Sequence, residues 1–293
     1  MKGHEGSTLR AKAPDATPIA PAPSTFGYAA PPMHREAGFP LDYRATGYAY
    51  VERPNSVLVR LLSEHVLRAR PRARILDVGC GAGANARRIR ELARDVELVG
   101  IEPNAQAAEL ARGACDSVFE GTLEEWASAA PVAAFDAVLL SDVLEHTVDP
   151  LGFLRCLSAI PGLARATLIV SVPNYAVWYN RLRTLAGRFD YGWSGLYDRT
   201  HLRFFTRRSI RRLLAEAGFE VQDDACTPSV VQSAAPLLRR FFEADVAQGK
   251  HLALGDSKAF GAYERFIEPA EQRVCESWPE LLGFQIVSVA RRR

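Results

Sequence analysis

A strand, a glycine-rich turn and a helix follow one another near position 80, and no other feature constrains the fold as strongly. The apolar run 73–78 is typical of a buried parallel strand, and residues 84–93 have the composition of a helix. Glycines at 79, 81 and 83 leave no Cβ atoms where the backbone has to turn sharply. The pattern predicts a doubly wound α/β sheet with a nucleotide-type ligand at the carboxyl edge of this strand.

A carboxylate follows the turn at the spacing that a ribose contact requires. The second predicted strand, residues 96–101, ends in Glu102, about twenty residues after the turn. This arrangement fits both NAD and S-adenosylmethionine (SAM), since each contains an adenosine. Asp77 would repel a pyrophosphate, whereas SAM carries an ammonium and a sulfonium. The G-x-G-x-G spacing also departs from the dinucleotide pattern unless Ala84 takes the sixth place, so the sequence favours SAM over NAD.

Further segments resemble motifs of the class I SAM-dependent methyltransferases and follow one another in the order found in that family. The resemblance covers roughly residues 43–221. The resemblance implies a Rossmann-like, doubly wound sheet of seven strands, mostly parallel, with an antiparallel last strand at 284–290. Two of the segments are similar to a bacterial subgroup associated with methylation of small molecules, lipid quinones or cell-surface glycans: DVLEH (142–146) and DRTHLRFFT (198–206). The family-wide motifs are ILDVGCGAG (75–83), GIEPN (100–104), GTLE (121–124), FDAVLLSDVLEH (135–146) and VSVPN (170–174).

The same resemblance implies which residues contact the cofactor. Asp77 is expected to orient the methionine ammonium, and Glu102 to accept hydrogen bonds from the ribose hydroxyls. Thr122 and Leu123 are expected to flank the adenine, and Ser141 to line the site. The complete set of predicted contacts is Asp77, Gly79, Cys80, Gly81, Gly83, Glu102, Pro103, Thr122, Leu123 and Ser141.

Two histidines lie where a catalytic base would be useful. Displacement of a methyl group from sulfur depends on in-line alignment, and an alcohol or phenol acceptor must also lose a proton. His201 and His146 are the candidate bases, because histidine titrates near neutral pH. For His201, a structural hydrogen bond that ties the preceding insertion to the next helix is an equally weighted alternative.

A possible cation cluster overlaps one of these histidines. Asp142, Glu145 and His146 have the i, i+3, i+4 spacing of one helical face. In the quinone O-methyltransferases that this segment resembles, such residues are associated with a divalent cation. Three residues are a weak metal signal, however, and the alternative is a helix-capping Asp142 beside a packed His146. The sequence therefore predicts no metal.

The chain divides into a tail, a lid and a core domain. Residues 1–40 are rich in Ala and Pro and are predicted to be disordered. Residues 41–70, with a helical stretch at 56–67, are a candidate lid or a cover for the sheet edge. Residues 71–293 form the SAM-binding domain, in which 227–281 is a helical cap or a homodimer interface. An aromatic insertion at 175–205 is predicted to recognise the substrate through Tyr175, Trp178, Tyr191 and Tyr197.

Composition excludes several other classes. The 293 residues are 48% hydrophobic, without an apolar run long enough to cross a membrane and without a signal-peptide block, so a cytoplasmic protein is expected. The net charge of +2 does not favour nucleic acid, and five widely spaced cysteines suggest reduced thiols. The prediction is SAM-dependent methylation of a small molecule, most readily at oxygen. C- or N-methylation and a SAM-binding module without catalysis remain as alternatives.

Overall fold

The described chain forms one mixed sheet. The computed structural model describes residues 53–129, 133–192, 195–228 and 267–293. The strands are β1 (Arg74–Val78), β2 (Glu97–Glu102), β3 (Ser117–Glu120), β4 (Ala137–Ser141), β5 (Thr167–Pro173), β6 (Phe219–Pro228) and β7 (Gly283–Arg292). Their order is β3-β2-β1-β4-β5-β7-β6, with β7 antiparallel to both of its neighbours. The sheet confirms the predicted Rossmann-like, doubly wound fold of seven strands with an antiparallel last strand.

Helices alternate with the strands through most of the chain, and several begin at a side chain that caps the first turn. The Asn55 side chain accepts from the Leu58 amide, and Thr206 and Ser209 form a reciprocal capping box. The described helices are α1 (Ser56–Leu62), α2 (Ala84–Leu92), α3 (Ala105–Ala111), α4 (Leu123–Ala129), α5 (Pro150–Ala159), α6 (Trp178–Leu185), α7 (Arg207–Glu216), α8 (Glu268–Ser277) and α9 (Pro279–Leu282). Among them, none has the length and apolar character needed to cross a bilayer.

The central strands bury both of their faces. In β1, Leu76 and Val78 pack on one side of the sheet with α5 and α7, while Ile75 packs on the other side with α1 and α2. This alternation follows from the two-residue period of a strand, and the near-continuous apolar sequence follows from helices on both faces. The packing fixes the carboxyl edge of the sheet, where the predicted site residues lie.

Helix α1, the first in the described part of the chain, belongs to this core. Leu58, Leu61 and Leu62 are almost fully buried, and the helix continues through a π-helical turn, Ser63–Leu67. The predicted helix at 56–67 is therefore confirmed, and its apolar face packs against the sheet. The lid role of residues 41–70 stays a prediction, because the part that precedes this helix lies outside the described residues. The predicted tail at 1–40 and most of the insertion at 227–281 also lie outside them.

A close backbone contact between β2 and the glycine turn gives a stability prediction. A Cβ at Gly100 would lie 2.7 Å from Cys80 Sγ and 3.4 Å from Cys115 Sγ, and both thiols are buried. We expect Gly100→Ala to lower the free energy of unfolding by about 1–3 kcal/mol, because overpacking a core forces side chains and backbone to move. Chemical denaturation measures this difference. Gly113→Ala is the matched control, since its Cβ would meet only the Leu110 carbonyl oxygen at 3.5 Å. Equal losses in the two variants would contradict the overpacking explanation.

Candidate active site

The glycine turn adopts the predicted conformation at the end of β1. Gly79, Gly81 and Gly83 all have positive φ angles, of 72°, 54° and 83°. The amides of Gly79 and Cys80 both donate to the Ile101 carbonyl oxygen, at 2.8 and 3.1 Å. Because β2 lies on one side of β1 and β4 on the other, the turn occupies the point where the strand order reverses. In open α/β sheets this crevice is where ligands bind.

Asp77 is a buried carboxylate without a counterion among the described residues. Its side chain is 1% exposed, and neither carboxylate oxygen has a hydrogen-bond partner in the part of the chain that the structure describes. Burial, followed by the nearby charge of Glu102, raises the pKa of Asp77 to about 7. A cationic ligand group beside it would relieve the cost of burying this charge. The residue therefore fits the predicted contact with the methionine ammonium of SAM.

Glu102 joins the end of β2 to the glycine turn. Its Oε2 accepts from the Gly81 amide and its Oε1 from the Asn104 amide, both at 2.9 Å. Each carboxylate oxygen has a second lone pair, so these bonds leave acceptor capacity for hydroxyl groups. The ribose contact remains a prediction, and the geometry is compatible with it.

A cavity of about 310 Å³ lies at the carboxyl ends of β2 and β3, and its lining includes Pro103, Phe119 and Gly121. Next to it, the Thr122 side chain hydrogen-bonds the Glu125 amide at the start of α4. Leu123 is only 2% exposed and belongs to the hydrophobic core, and neither Thr122 nor Leu123 lines the cavity itself. The cavity lies where the adenine contact was predicted.

The end of β4 carries a strained residue. Asp142 has a φ of 55°, and it is the one described residue other than glycine with a positive φ. Its amide donates to the Ser171 carbonyl oxygen, and Gln285 Nε2 lies 2.7 Å from each of its carboxylate oxygens. Burial raises the pKa of Asp142 to about 6, although the hydrogen bond from Gln285 acts to lower it. The alternative of a helix-capping Asp142 is wrong, because the following 3₁₀ turn, Leu144–His146, has no side-chain cap.

The two candidate bases lie side by side. The rings of His146 and His201 meet edge to face, with centroids 4.8 Å apart. The Nδ1 atom of each ring faces a backbone carbonyl oxygen, that of Thr200 at 3.2 Å and that of Leu196 at 3.1 Å. A proton on Nδ1 leaves the lone pair on Nε2. Burial lowers the pKa of His146 to about 4 and also lowers that of His201, so both rings are neutral at pH 7.

Glu145 completes a group that could hold a divalent cation. Each of Glu145, His146 and His201 offers one ligand atom, and these three atoms lie within 4.8 Å of one another. Burial, followed by the charge of Asp142, raises the pKa of Glu145 well above its ordinary value. One carboxylate and two neutral imidazoles suit a divalent transition metal. This set differs from the spacing in the sequence, because His201 takes the place of Asp142, whose carboxylate is held by Gln285.

The aromatic insertion forms a cluster rather than a uniform surface. The rings of Tyr175, Tyr197, Phe189 and Phe204 meet one another edge to face or tilted, with centroids 5.0–6.1 Å apart. Tyr191 contacts the cluster through Phe189 and is half exposed. Trp178 pairs instead with Tyr179 on α6. The structure therefore brings together three of the four predicted substrate residues.

Three residues of the site were missed in the sequence. Phe189 and Phe204 carry the same signal as the predicted substrate residues, which is an aromatic side chain in or beside a glycine-containing loop. Gln285 carries no local signal, since it lies in β7, far along the chain from Asp142. Only the pairing of β5 with β7 brings it to the site.

Comparison with known proteins finds a family and curated relatives. A family model described as a methyltransferase domain matches residues 50–223. A ubiquinone biosynthesis O-methyltransferase of Methylocella silvestris is 32% identical over 161 residues, which is 52% of this chain and 59% of that protein. The protein of the same name from Azorhizobium caulinodans is 29% identical over 57% of this chain and 67% of its own length. The chain thus matches about three fifths to two thirds of each of these relatives.

Among solved structures, the crystal structure of the small RNA methyltransferase HEN1 has a TM-score of 0.50. The two chains are 15% identical, and the match covers 85% of this chain and 26% of that one. At this identity the similarity shows the fold alone.

Proposed function

The chain belongs to the methyltransferase-domain family, and from this premise we propose that it is a SAM-dependent methyltransferase that methylates an oxygen atom of a small-molecule acceptor. The observation that carries the proposal is the pair of neutral histidines beside the aromatic cluster, at the carboxyl edge of the sheet. Oxygen acceptors are the ones that need a base, because an alcohol or phenol must lose its proton when the methyl group is transferred.

The cofactor half of the site lies over β1, β2 and β3. SAM, when bound, supplies a methyl group on a positively charged sulfur. Asp77 binds its ammonium, Glu102 accepts from its ribose hydroxyls, and the glycine turn lets the backbone approach it closely. The cavity at the ends of β2 and β3 takes the adenine. These contacts direct the reacting methyl group towards β4.

The acceptor half lies over β4, β5 and β7. The insertion that follows β5 places the aromatic cluster here, and the amides of Leu202 and Arg203 donate to the Glu145 carbonyl oxygen at 2.7 and 3.0 Å. These two bonds hold the His201 segment against the end of β4. An aromatic acceptor stacked on the cluster presents its hydroxyl to the histidines.

His201 takes the proton in this proposal. Its Nδ1 is fixed by the Leu196 carbonyl oxygen, so Nε2 is the basic atom, and its lowered pKa keeps the ring neutral at pH 7. His146 lies next to it and fixes its orientation by ring contact. The name of the relatives, ubiquinone biosynthesis O-methyltransferase, supports methylation at oxygen.

Product analysis tests the proposal. The purified chain is incubated with methyl-labelled SAM and two matched panels, one of phenols and catechols and the other of the corresponding anilines. We expect the label in methyl ethers of the first panel. Label found only in N-methyl or C-methyl products would contradict O-methylation, and a chain that binds SAM without transferring the label to any panel member would indicate the non-catalytic alternative.

A further inference from the structure

We propose that Gln285 is a positioning residue, which fixes the Asp142 carboxylate on the acceptor side of the active site so that it can bind the acceptor hydroxyl. The inference rests on the proposed methyl transfer and adds a residue to it. Nothing in the sequence motifs points to this glutamine.

The hydrogen bonds of Gln285 determine which end of its amide faces Asp142. Its Oε1 accepts from Asn55 Nδ2 at 3.2 Å and from Thr227 Oγ1 at 3.4 Å, and its backbone amide donates to Thr227 Oγ1 at 3.0 Å. With the oxygen engaged by donors, the nitrogen is the atom that faces the carboxylate. The orientation of the amide is therefore set by α1 and β6, on either side of it.

This nitrogen lies 2.7 Å from both carboxylate oxygens of Asp142. Asp142 is at the same time held in a left-handed backbone conformation, which carries an energetic cost for a residue other than glycine. Conformations of this kind persist where the surroundings impose them, and they concentrate at functional sites. The strained backbone and the hydrogen bond from Gln285 together restrict the orientation of the carboxylate.

The direction of that orientation follows from the strand order. Asp142 follows β4 and Gln285 lies on β7, with β5 between them. The hydrogen bond from Gln285 thus draws the carboxylate across the end of β5 towards β7. Gln285 is in turn joined through Asn55 to Asn85, in the first turn of α2. The turn after β4 still contacts the cofactor loop, since a Cβ on Gly79 would lie 2.8 Å from Val143 Cγ2. Asp142 therefore lies between the cofactor half and the acceptor half.

Besides Gln285, the side chains of Glu145 and Ser171 also bond the Asp142 carboxylate. Its two oxygens offer about four acceptor sites in all, so a lone pair remains for a further donor. That lone pair can accept a hydrogen bond from an acceptor hydroxyl and hold its oxygen in line with the methyl group. Asp142 touches the acceptor in this arrangement, and Gln285 acts through Asp142. Loss of the glutamine should affect the alignment of the acceptor more than the binding of the cofactor.

Two substitutions at position 285 separate positioning from structure. Gln285→Glu keeps the side-chain volume and an oxygen for Asn55 and Thr227 but removes the donor to Asp142, whereas Gln285→Met removes all of these bonds. We expect both to lower kcat by about tenfold to a hundredfold with unchanged affinity for S-adenosylhomocysteine (SAH), as for loss of a hydrogen bond to a charged group. Gln222→Met on β6, an exposed glutamine, is the control and should turn over like the wild type.

Combination with Asp142→Asn tests whether the glutamine acts through the aspartate. The double variant Gln285→Glu/Asp142→Asn should be no slower than Asp142→Asn alone. Wild-type turnover in Gln285→Glu, or losses that multiply in the double variant, would overturn the inference while leaving the proposed function intact. Absence of methyl transfer by the wild type would overturn the proposed function, and this inference with it.

Discussion

The Asp77→Asn variant should bind SAH at least about a hundredfold more weakly than the wild type, as expected when a buried charge pair loses one partner. Asp77 is buried and has no hydrogen-bond partner among the described residues, so the ligand ammonium is the group that would pair with it. The substitution keeps the shape of the side chain and removes its charge. Calorimetric titration measures the affinity, and Asp95→Asn, an exposed aspartate in the turn after α2, is the matched control.

The same substitution should change the pH dependence of stability in the ligand-free protein. The pKa of Asp77 is raised to about 7 from 3.8, so the folded state binds more protons than the unfolded state between these values, and the stability of the wild type falls as pH rises through this range. In Asp77→Asn this loss is absent. The difference in unfolding free energy, variant minus wild type, should therefore increase between pH 5 and pH 8 by on the order of 2 kcal/mol.

Urea denaturation at several pH values measures that difference. If this difference in unfolding free energy were constant from pH 5 to pH 8 and SAH affinity were unchanged, Asp77 would have no raised pKa and would not contact the ammonium. If SAH binding were weakened but the difference in unfolding free energy were constant with pH, the ammonium contact would be supported and only the raised pKa of Asp77 would be contradicted.

Replacing His201 with alanine should lower kcat by about 10²- to 10⁴-fold, the range of a general base. Affinity for SAH should be retained, because the hydrogen bonds described for His201, to Asp198 and Leu196, do not involve the glycine turn or β2. The control is His65→Ala, whose ring bonds Asp223 on β6 at 2.9 Å, away from the acceptor half. Steady-state kinetics on a phenolic acceptor, together with calorimetry, separates turnover from cofactor binding.

Two results would change this interpretation of His201. Normal turnover by His201→Ala would rule out the base role and leave the structural hydrogen bond to Leu196. Loss of wild-type turnover on chelation, restored by a divalent cation, would instead assign Glu145, His146 and His201 to a metal, as their spacing allows. Turnover that is unaffected by a chelator is expected if His201 acts as the base alone.

Much of the fold could be predicted because it depends on local signals. Local sequence specifies the local structure in several segments: the glycine turn, the apolar strands β1 and β4, and the start of α7 at its capping residue. β6 is the clearest exception, since the sequence indicates a strand only at 219–222, whereas the observed strand extends to Pro228. Its middle, residues 222–224, is polar in sequence. The strand continues because it pairs with β7 through two register shifts and because Asp224 is held by Arg207 and Arg211.

The candidate site was predictable to a different extent in its two halves. The cofactor contacts follow strands in register, so residues such as Asp77 and Glu102 are brought together by the strand order alone. The acceptor half depends on tertiary contacts. Glu145 meets His201 because its carbonyl oxygen binds the backbone of a distant loop, and Asp142 is fixed by a glutamine on the last strand. Neither contact has a counterpart in local sequence.

Calorimetric titration of the full chain with SAH, SAM and NAD most directly tests whether the glycine turn, Asp77 and Glu102 form a SAM site. Binding of SAH and SAM with a Kd in the micromolar range, and no heat with NAD, is the predicted result. Binding of NAD, or no binding of either adenosyl ligand by the folded protein, would contradict it.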